Sequence, residues 1–155
     1  MTMRTALETY RGFIDALNTY DLERAADFVD AERYRETCIG YIRGMVDWDQ
    51  ARESMRKVWQ GLPDLRVDLV HIASSGDYVV AHGSAHGSAT GRLFGAPATG
   101  RRSEANFFDY ARVADGLIVE RIQQSDIFTQ MRQMYGKPLG LVGLGAMFLR
   151  NQPNR

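Results

Sequence analysis

Two opposite charges flank one sharp turn in the second half of this chain: Asp109 precedes Ala114-Asp115-Gly116, and Arg121 follows it. An Asp-Gly pair between two alternating apolar runs marks a hairpin, because such a turn needs residues that accept a left-handed backbone. A three-residue loop, with Val113 paired to Leu117, sets Asp109 opposite Arg121 and Phe107 opposite Gln123 on the same side. A two-residue Asp115-Gly116 turn shifts the pairing by one and brings Tyr110 opposite Arg121 instead. A carboxylate beside a guanidinium in an apolar enclosure is held ionised, and the pair can bind an oxyanion, orient water or pass a proton. The plainer alternative is a structural ion pair that satisfies two buried charges.

The other chemistry-bearing residues are sparser. His71, His82 and His86 fall on predicted strands, where residues four apart share a face but stand roughly 13 Å from each other at about 3.3 Å per residue, too far to share an ion. They read as imidazoles on a polar face with Ser84 and Ser88, and no metal site is expected. On the opposite face Ala81, Gly83, Ala85, Gly87 and Ala89 are all small. Turned inward, that face leaves volume for a bulky ligand; turned outward, it packs closely against another element. No serine or cysteine sits in a nucleophile elbow and no phosphate loop is present, which disfavours covalent acyl chemistry and nucleotide hydrolysis. Gly140, Gly143 and Gly145 lack the dinucleotide spacing, so no organic cofactor is expected either.

These residues need elements to position them. Leu7, Tyr10, Phe13, Ile14 and Leu17 recur at helical spacing, and Asn18-Thr19-Tyr20-Asp21 ends that helix. A second helix is predicted from Leu22 to Val29. The segment from Ala31 to Val46, with Tyr34, Cys38, Tyr41 and Ile42, is less regular. Asp47 or Asp49 caps a third helix that carries Met55, Val58 and Trp59 and stops before Pro63. Strands follow over Leu65 to Ser74, Tyr78 to Gly91, Arg101 to Val113 and Leu117 to Ser125, and then a last helix from Asp126 to Tyr135 stopped by Gly136 and Pro138. Asp126 stands where its side chain caps that helix. Helices first and hairpins afterwards is the α+β pattern, one antiparallel sheet with N-terminal helices packed over it. The Gly-broken apolar residues within 138–155 form an extension suited to a lid or a dimer contact.

Composition limits the partners. The chain of 155 residues is 45% apolar, one domain's worth, with 19 basic and 19 acidic residues. Balanced charge without a basic run argues against nucleic acid. No apolar run approaches the ~18 to 20 residues that cross a bilayer, and no signal-peptide core opens the chain. The single cysteine, Cys38, fits a reducing, cytoplasmic setting.

Phe94-Gly95-Ala96-Pro97-Ala98-Thr99-Gly100-Arg101, then Asp115-Gly116-Leu117-Ile118-Val119-Glu120, then Asp126 with Met131-Arg132-Gln133, resemble in order and spacing the SnoaL-like polyketide cyclases. The resemblance runs over about residues 5 to 137 and makes 1–137 the cone domain. It implies the nuclear-transport-factor-2-like fold, a cone-shaped curved antiparallel sheet with N-terminal helices over it, enclosing one apolar pocket. It makes Phe107, Asp109, Arg121 and Gln123 pocket positions. Many members carry His-Trp-Asp just after the Gly-x-Ile-Val-Glu run, with the Asp as general base. Here the triplet is Arg121-Ile122-Gln123, and an amide cannot take a proton as a carboxylate does. A Gly-Thr-His triplet of the family stands as Gly87-Ser88-Ala89, so that histidine is absent too. By analogy of fold, Tyr10, Tyr41 and Trp59 line the pocket from the helical side, where a tyrosine hydroxyl can donate to a carbonyl or epoxide oxygen. Family members usually pair through the open side of the sheet, which implies a homodimer.

The expectation is a cofactor-free pocket enzyme that moves protons on a hydrophobic, oxygenated small molecule of polyketide or terpenoid kind, by cyclisation, isomerisation or epoxide opening. Asp109 would act as acid or base, Arg121 would fix charge, and Gln123 would position oxygen or water. The competing expectation is a non-catalytic binding or accessory protein that kept the cone and lost its base.

Overall fold

The Thr5 hydroxyl accepts from the Glu8 amide while the Glu8 carboxylate accepts from the Thr5 amide, a reciprocal cap that starts α1 (Ala6–Asn18). Its stripe of Tyr10, Phe13, Ile14 and Leu17 is buried against the sheet. The computed structural model describes residues 3–39 and 44–136; Tyr41 and the 138–155 extension lie outside the described residues. After α1 come α2 (Leu22–Ala26), β1 (Arg35–Ile39), α3 (Trp48–Gly61), β2 (Arg66–Ser75), β3 (Tyr78–Ser88), β4 (Arg102–Ala114) and β5 (Leu117–Ser125). A final helix, α4, covers 127–136. Asp47, one of the two expected caps, starts α3 through a reciprocal bond with Gln50.

The five strands form one sheet in the order β1-β5-β4-β3-β2. With helices packed over it, this is the expected α+β architecture, with two differences. The sheet is mixed, because the segment read as irregular contains β1, which lies parallel to β5 and pairs Glu36 with Arg121 and Cys38 with Gln123. The second helix ends earlier than expected. Its last residues leave the helix to join β5, with the Ile118 amide donating to Phe28 O at 2.8 Å and the Asp30 amide to Ile118 O at 3.0 Å. An open edge of β5 satisfies those backbone groups as well as another helical turn would.

Alternation sorts the sheet into two faces. On β4, Ser103, Ala105, Phe107, Asp109, Ala111 and Val113 all turn inward and are buried. The small-residue face of β3 is inward as well: Ala81, Gly83 and Gly87 are buried, as is Ala89 just beyond the strand, and a Cβ on Gly83 would sit 2.6 Å from the Phe107 ring. Outward, the His82 ring stacks on His71 and on Phe108, and His86 bridges Asp68 and Arg102.

The β4–β5 register differs from the three-residue reading. The turn has two residues, Asp115 at φ 54° and Gly116 at φ 75°, so Ala114 pairs with Leu117 and Val113 with Ile118. A bulge then leaves Val119 unpaired, and the register shifts by one more residue. Arg121 therefore faces Ala111, Gln123 faces Asp109, and Phe107 faces Ser125; neither expected pairing of Arg121 is made. The bulge allows two successive apolar residues, Ile118 and Val119, to be buried together. It also reverses the pleat, so that Arg121, Gln123 and Ser125 turn inward where an unbulged two-residue hairpin would turn them out.

Candidate active site

Two apolar clusters flank a gap on the inner face. One gathers α1 with Trp48, Val113 and Ile118, and the other gathers Leu62, Leu65, Leu93, Ile127, Met131 and Met134. Between them lies a cavity of about 360 Å³, within the range of small-molecule sites. Met55, Val58, Leu62, Leu93 and Phe94 make an apolar wall, and Ala85 beside Ala105 leaves the sheet side shallow. The opposite wall is polar, with Glu36 and Cys38 from β1 and Arg121, Gln123 and Ser125 from β5, while Ser54 and Lys57 of α3 and Gln130 of α4 complete the lining.

Arg121 is the centre of that wall. Its Nε and Nη2 donate to both oxygens of Asp109 at 2.7 to 3.1 Å, and its Nη1 donates to Glu36 Oε1 at 3.1 Å. The Tyr10 hydroxyl donates to Asp109 Oδ2 at 2.7 Å, and the Tyr34 hydroxyl donates to Glu36 Oε2 at 3.0 Å. The Phe13 ring lies 5.4 Å from the guanidinium carbon. With every group ionised, two carboxylates surround one cation and leave one negative charge in excess.

Burial opposes the charge on Arg121, but Asp109 and Glu36 outweigh it and raise its pKa well above the ordinary value. Burial raises the Asp109 carboxyl, against the pull of Arg121 and of the Tyr10 hydrogen bond. Both tyrosines are raised by burial first and then by the neighbouring carboxylate, so they act here as neutral donors. Cys38, whose thiol donates to Gln123 Oε1 at 3.4 Å, is pushed up to about 12 by burial and is a poor nucleophile.

The expected site residues separate into groups. Arg121 and Gln123 reach the cavity wall. Asp109 is joined to Arg121 diagonally across the ladder, and its side chain is 0% exposed and enclosed behind Arg121. Tyr10 is likewise enclosed and bonds Asp109. Phe107 fills the space over Gly83, Ala89 is buried in the second cluster, and Trp59 packs edge-on against Tyr20. None of these three lines the cavity. Asp126 accepts from the Thr129 amide at 3.0 Å and caps α4, and Gln133 accepts from the Glu104 amide, tying α4 to the sheet. Glu36 was not among the candidates. Its signal was present in the alternation Tyr34, Glu36, Cys38, but a glutamate in such a run reads as a solvent-facing residue.

No curated protein gives a significant sequence match. Among solved structures, IdmH of Streptomyces antibioticus, a candidate polyketide cyclase, is 25% identical with a TM-score of 0.76, over 84% of this chain and 98% of that one. A SnoaL-like cyclase candidate from a Jannaschia species is 20% identical with a TM-score of 0.76, over 86% and 93% of the two chains. AclR of Streptomyces galilaeus, a candidate hydroxylase, is 16% identical with a TM-score of 0.75, over 94% and 92%. The same fold thus carries more than one suggested chemistry, as is usual for cones with a pocket. The family model described as SnoaL-like polyketide cyclase matches residues 7–134, which takes in the whole of the cavity wall described above, and the chain belongs to that family.

Proposed function

We propose that the cavity takes a hydrophobic, oxygenated small molecule of polyketide or terpenoid kind and that the protein moves a proton on it without a cofactor, as in cyclisation, isomerisation or epoxide opening. One observation carries this reading: a buried guanidinium, fixed from behind by Asp109, meets a cavity whose lining is mostly apolar. Its bonds to Asp109 and Glu36 use one N–H on each terminal nitrogen and leave a second on each to meet a substrate oxygen. A charge preorganised in a dry site stabilises a developing oxyanion far better than water does. Asp109 then positions Arg121, and Gln123, whose side chain reaches the same wall, orients substrate by hydrogen bonding. The exposed apolar groups on the outward face of the sheet, Val70, Val80 and Phe108 among them, support a homodimer.

A second reading, binding without catalysis, draws support from the enclosure of Asp109. One experiment separates the two. β-Tetralone, an apolar bicyclic ketone with exchangeable protons beside its carbonyl, is titrated against the protein and then followed by proton NMR in D₂O. Saturable binding with exchange accelerated at least about 100-fold over buffer is the expected result for an acid–base site. Binding without acceleration favours the second reading, and no binding overturns both.

A further inference from the structure

We infer that the acid–base group of this site is Glu36, a carboxylate supplied by β1 in place of the one missing from β5. The inference deepens the proton-transfer reading and rests on it. Among the described residues Glu36 is the one carboxylate on the cavity wall. Asp109, the carboxylate singled out by the hairpin, has no exposed side-chain surface, whereas the Glu36 side chain keeps 10%.

The parallel pairing explains how the substitution works geometrically. Glu36 lies beside Arg121 and Cys38 beside Gln123, so the carboxylate enters one pleat away from Gln123 on the same wall. Its backbone is clamped on the far side by two bonds with Val46, both 2.9 Å. Its side chain is steadied by Tyr34, whose ring packs edge-on against Trp48 at 5.5 Å. A catalytic group needs such support to hold its geometry.

The hydrogen-bond inventory leaves Glu36 free to react. An ionised carboxylate has about four acceptor positions, and Glu36 uses one on each oxygen, for Arg121 and for Tyr34. One cation, Arg121, is shared between two carboxylates, Asp109 and Glu36, and of the two Glu36 is the one that reaches the cavity. Gln123 is oriented to help. Its Oε1 accepts from Cys38, which leaves both amide N–H groups as donors.

The step follows from these positions. Glu36 takes a proton from the carbon beside the substrate carbonyl, the C–H electron pair forms the new carbon–carbon double bond, and the carbonyl pair moves onto oxygen. That oxyanion is met by the free N–H groups of Arg121 and by the Gln123 amide. Returning the proton from Glu36 to a different carbon completes an isomerisation, and swapping it on Glu36 for a solvent deuteron before return completes an exchange; no redox partner is needed.

The test uses β-tetralone exchange in the wild-type protein and in E36Q and E36D. E36Q keeps the hydrogen-bonding shape and loses the proton acceptor, so its turnover falls at least about 100-fold while its Kd for the ketone stays near the wild-type value. E36D withdraws the carboxylate by one methylene and lowers kcat with KM unchanged. Wild-type exchange that persists undiminished in E36Q overturns the assignment and leaves the proton-transfer reading standing. Wild-type binding without exchange overturns both. Should E36Q fail to fold, E36D decides, and an unaltered kcat in that variant overturns the assignment.

Discussion

Arg121 is anchored at both sides of its guanidinium, with Asp109 holding Nε and Nη2 and Glu36 holding Nη1. Charges this deep are stable only as a set, since removing one partner strands the others in a poor solvent. Arg121→Met should therefore destabilise the fold by about 3–5 kcal/mol, measured by urea unfolding. The same change made in an Asp109→Asn background should cost clearly less, because one of the stranded charges is already gone; equal losses in both backgrounds would show that the two residues are uncoupled. An ion pair of Asp109 with Arg121 was expected from the sequence, but as direct cross-strand neighbours; the two-residue turn and the bulge set Arg121 opposite Ala111, and the pair forms diagonally. Its meaning was not legible in the sequence. Which carboxylate meets the cavity depends on the depth of each side chain below the wall, and spacing along one hairpin contains no information about depth.

At the scale of elements, the bulge at Val119 and the strand β1 build the polar wall. Both escaped the sequence reading. A bulge is chosen by the burial of Ile118 and Val119 against other elements, and a parallel partner strand is chosen by pairing with a distant edge. Caps were more legible, since they depend on residues three apart. The Asp126 cap and one long-range bond to Asp64 also predict acid sensitivity. The Ser88 amide donates to Asp64 and lowers its pKa, and the Thr129 amide does the same for Asp126. Both folded values lie below the unfolded one of about 3.9, so the stability they supply is present above that pH and lost as pH falls through the folded values. Asp109, raised by burial, runs the other way and partly offsets the loss. Urea midpoints should fall as pH is lowered below about 4, and less steeply in the Asp64→Asn, Asp126→Asn double variant. Parallel pH profiles for the two proteins would contradict this assignment.

For the whole molecule, the helices cover the inner face of the sheet and leave apolar groups on the outer one, where Phe108 is 61% exposed. If two copies pair there, Phe108→Glu should convert a sedimenting dimer to a monomer at micromolar concentration while leaving β-tetralone binding intact, since Phe108 lies across the sheet from the cavity. A wild-type monomer, or a dimer indifferent to the change, would place the contact elsewhere. The sequence by itself determined the α+β order, the positions of most helices and strands, the caps and the single face shared by the small residues from Ala81 to Ala89, because each rests on periodicity or on neighbours a few residues apart. Only the tertiary structure decided that Glu36 and Arg121, 85 residues apart, meet on one wall, and that Asp109 lies behind it. The physical reason is that lateral strand pairing and burial depth are settled by how the elements pack together, after every local preference has been satisfied.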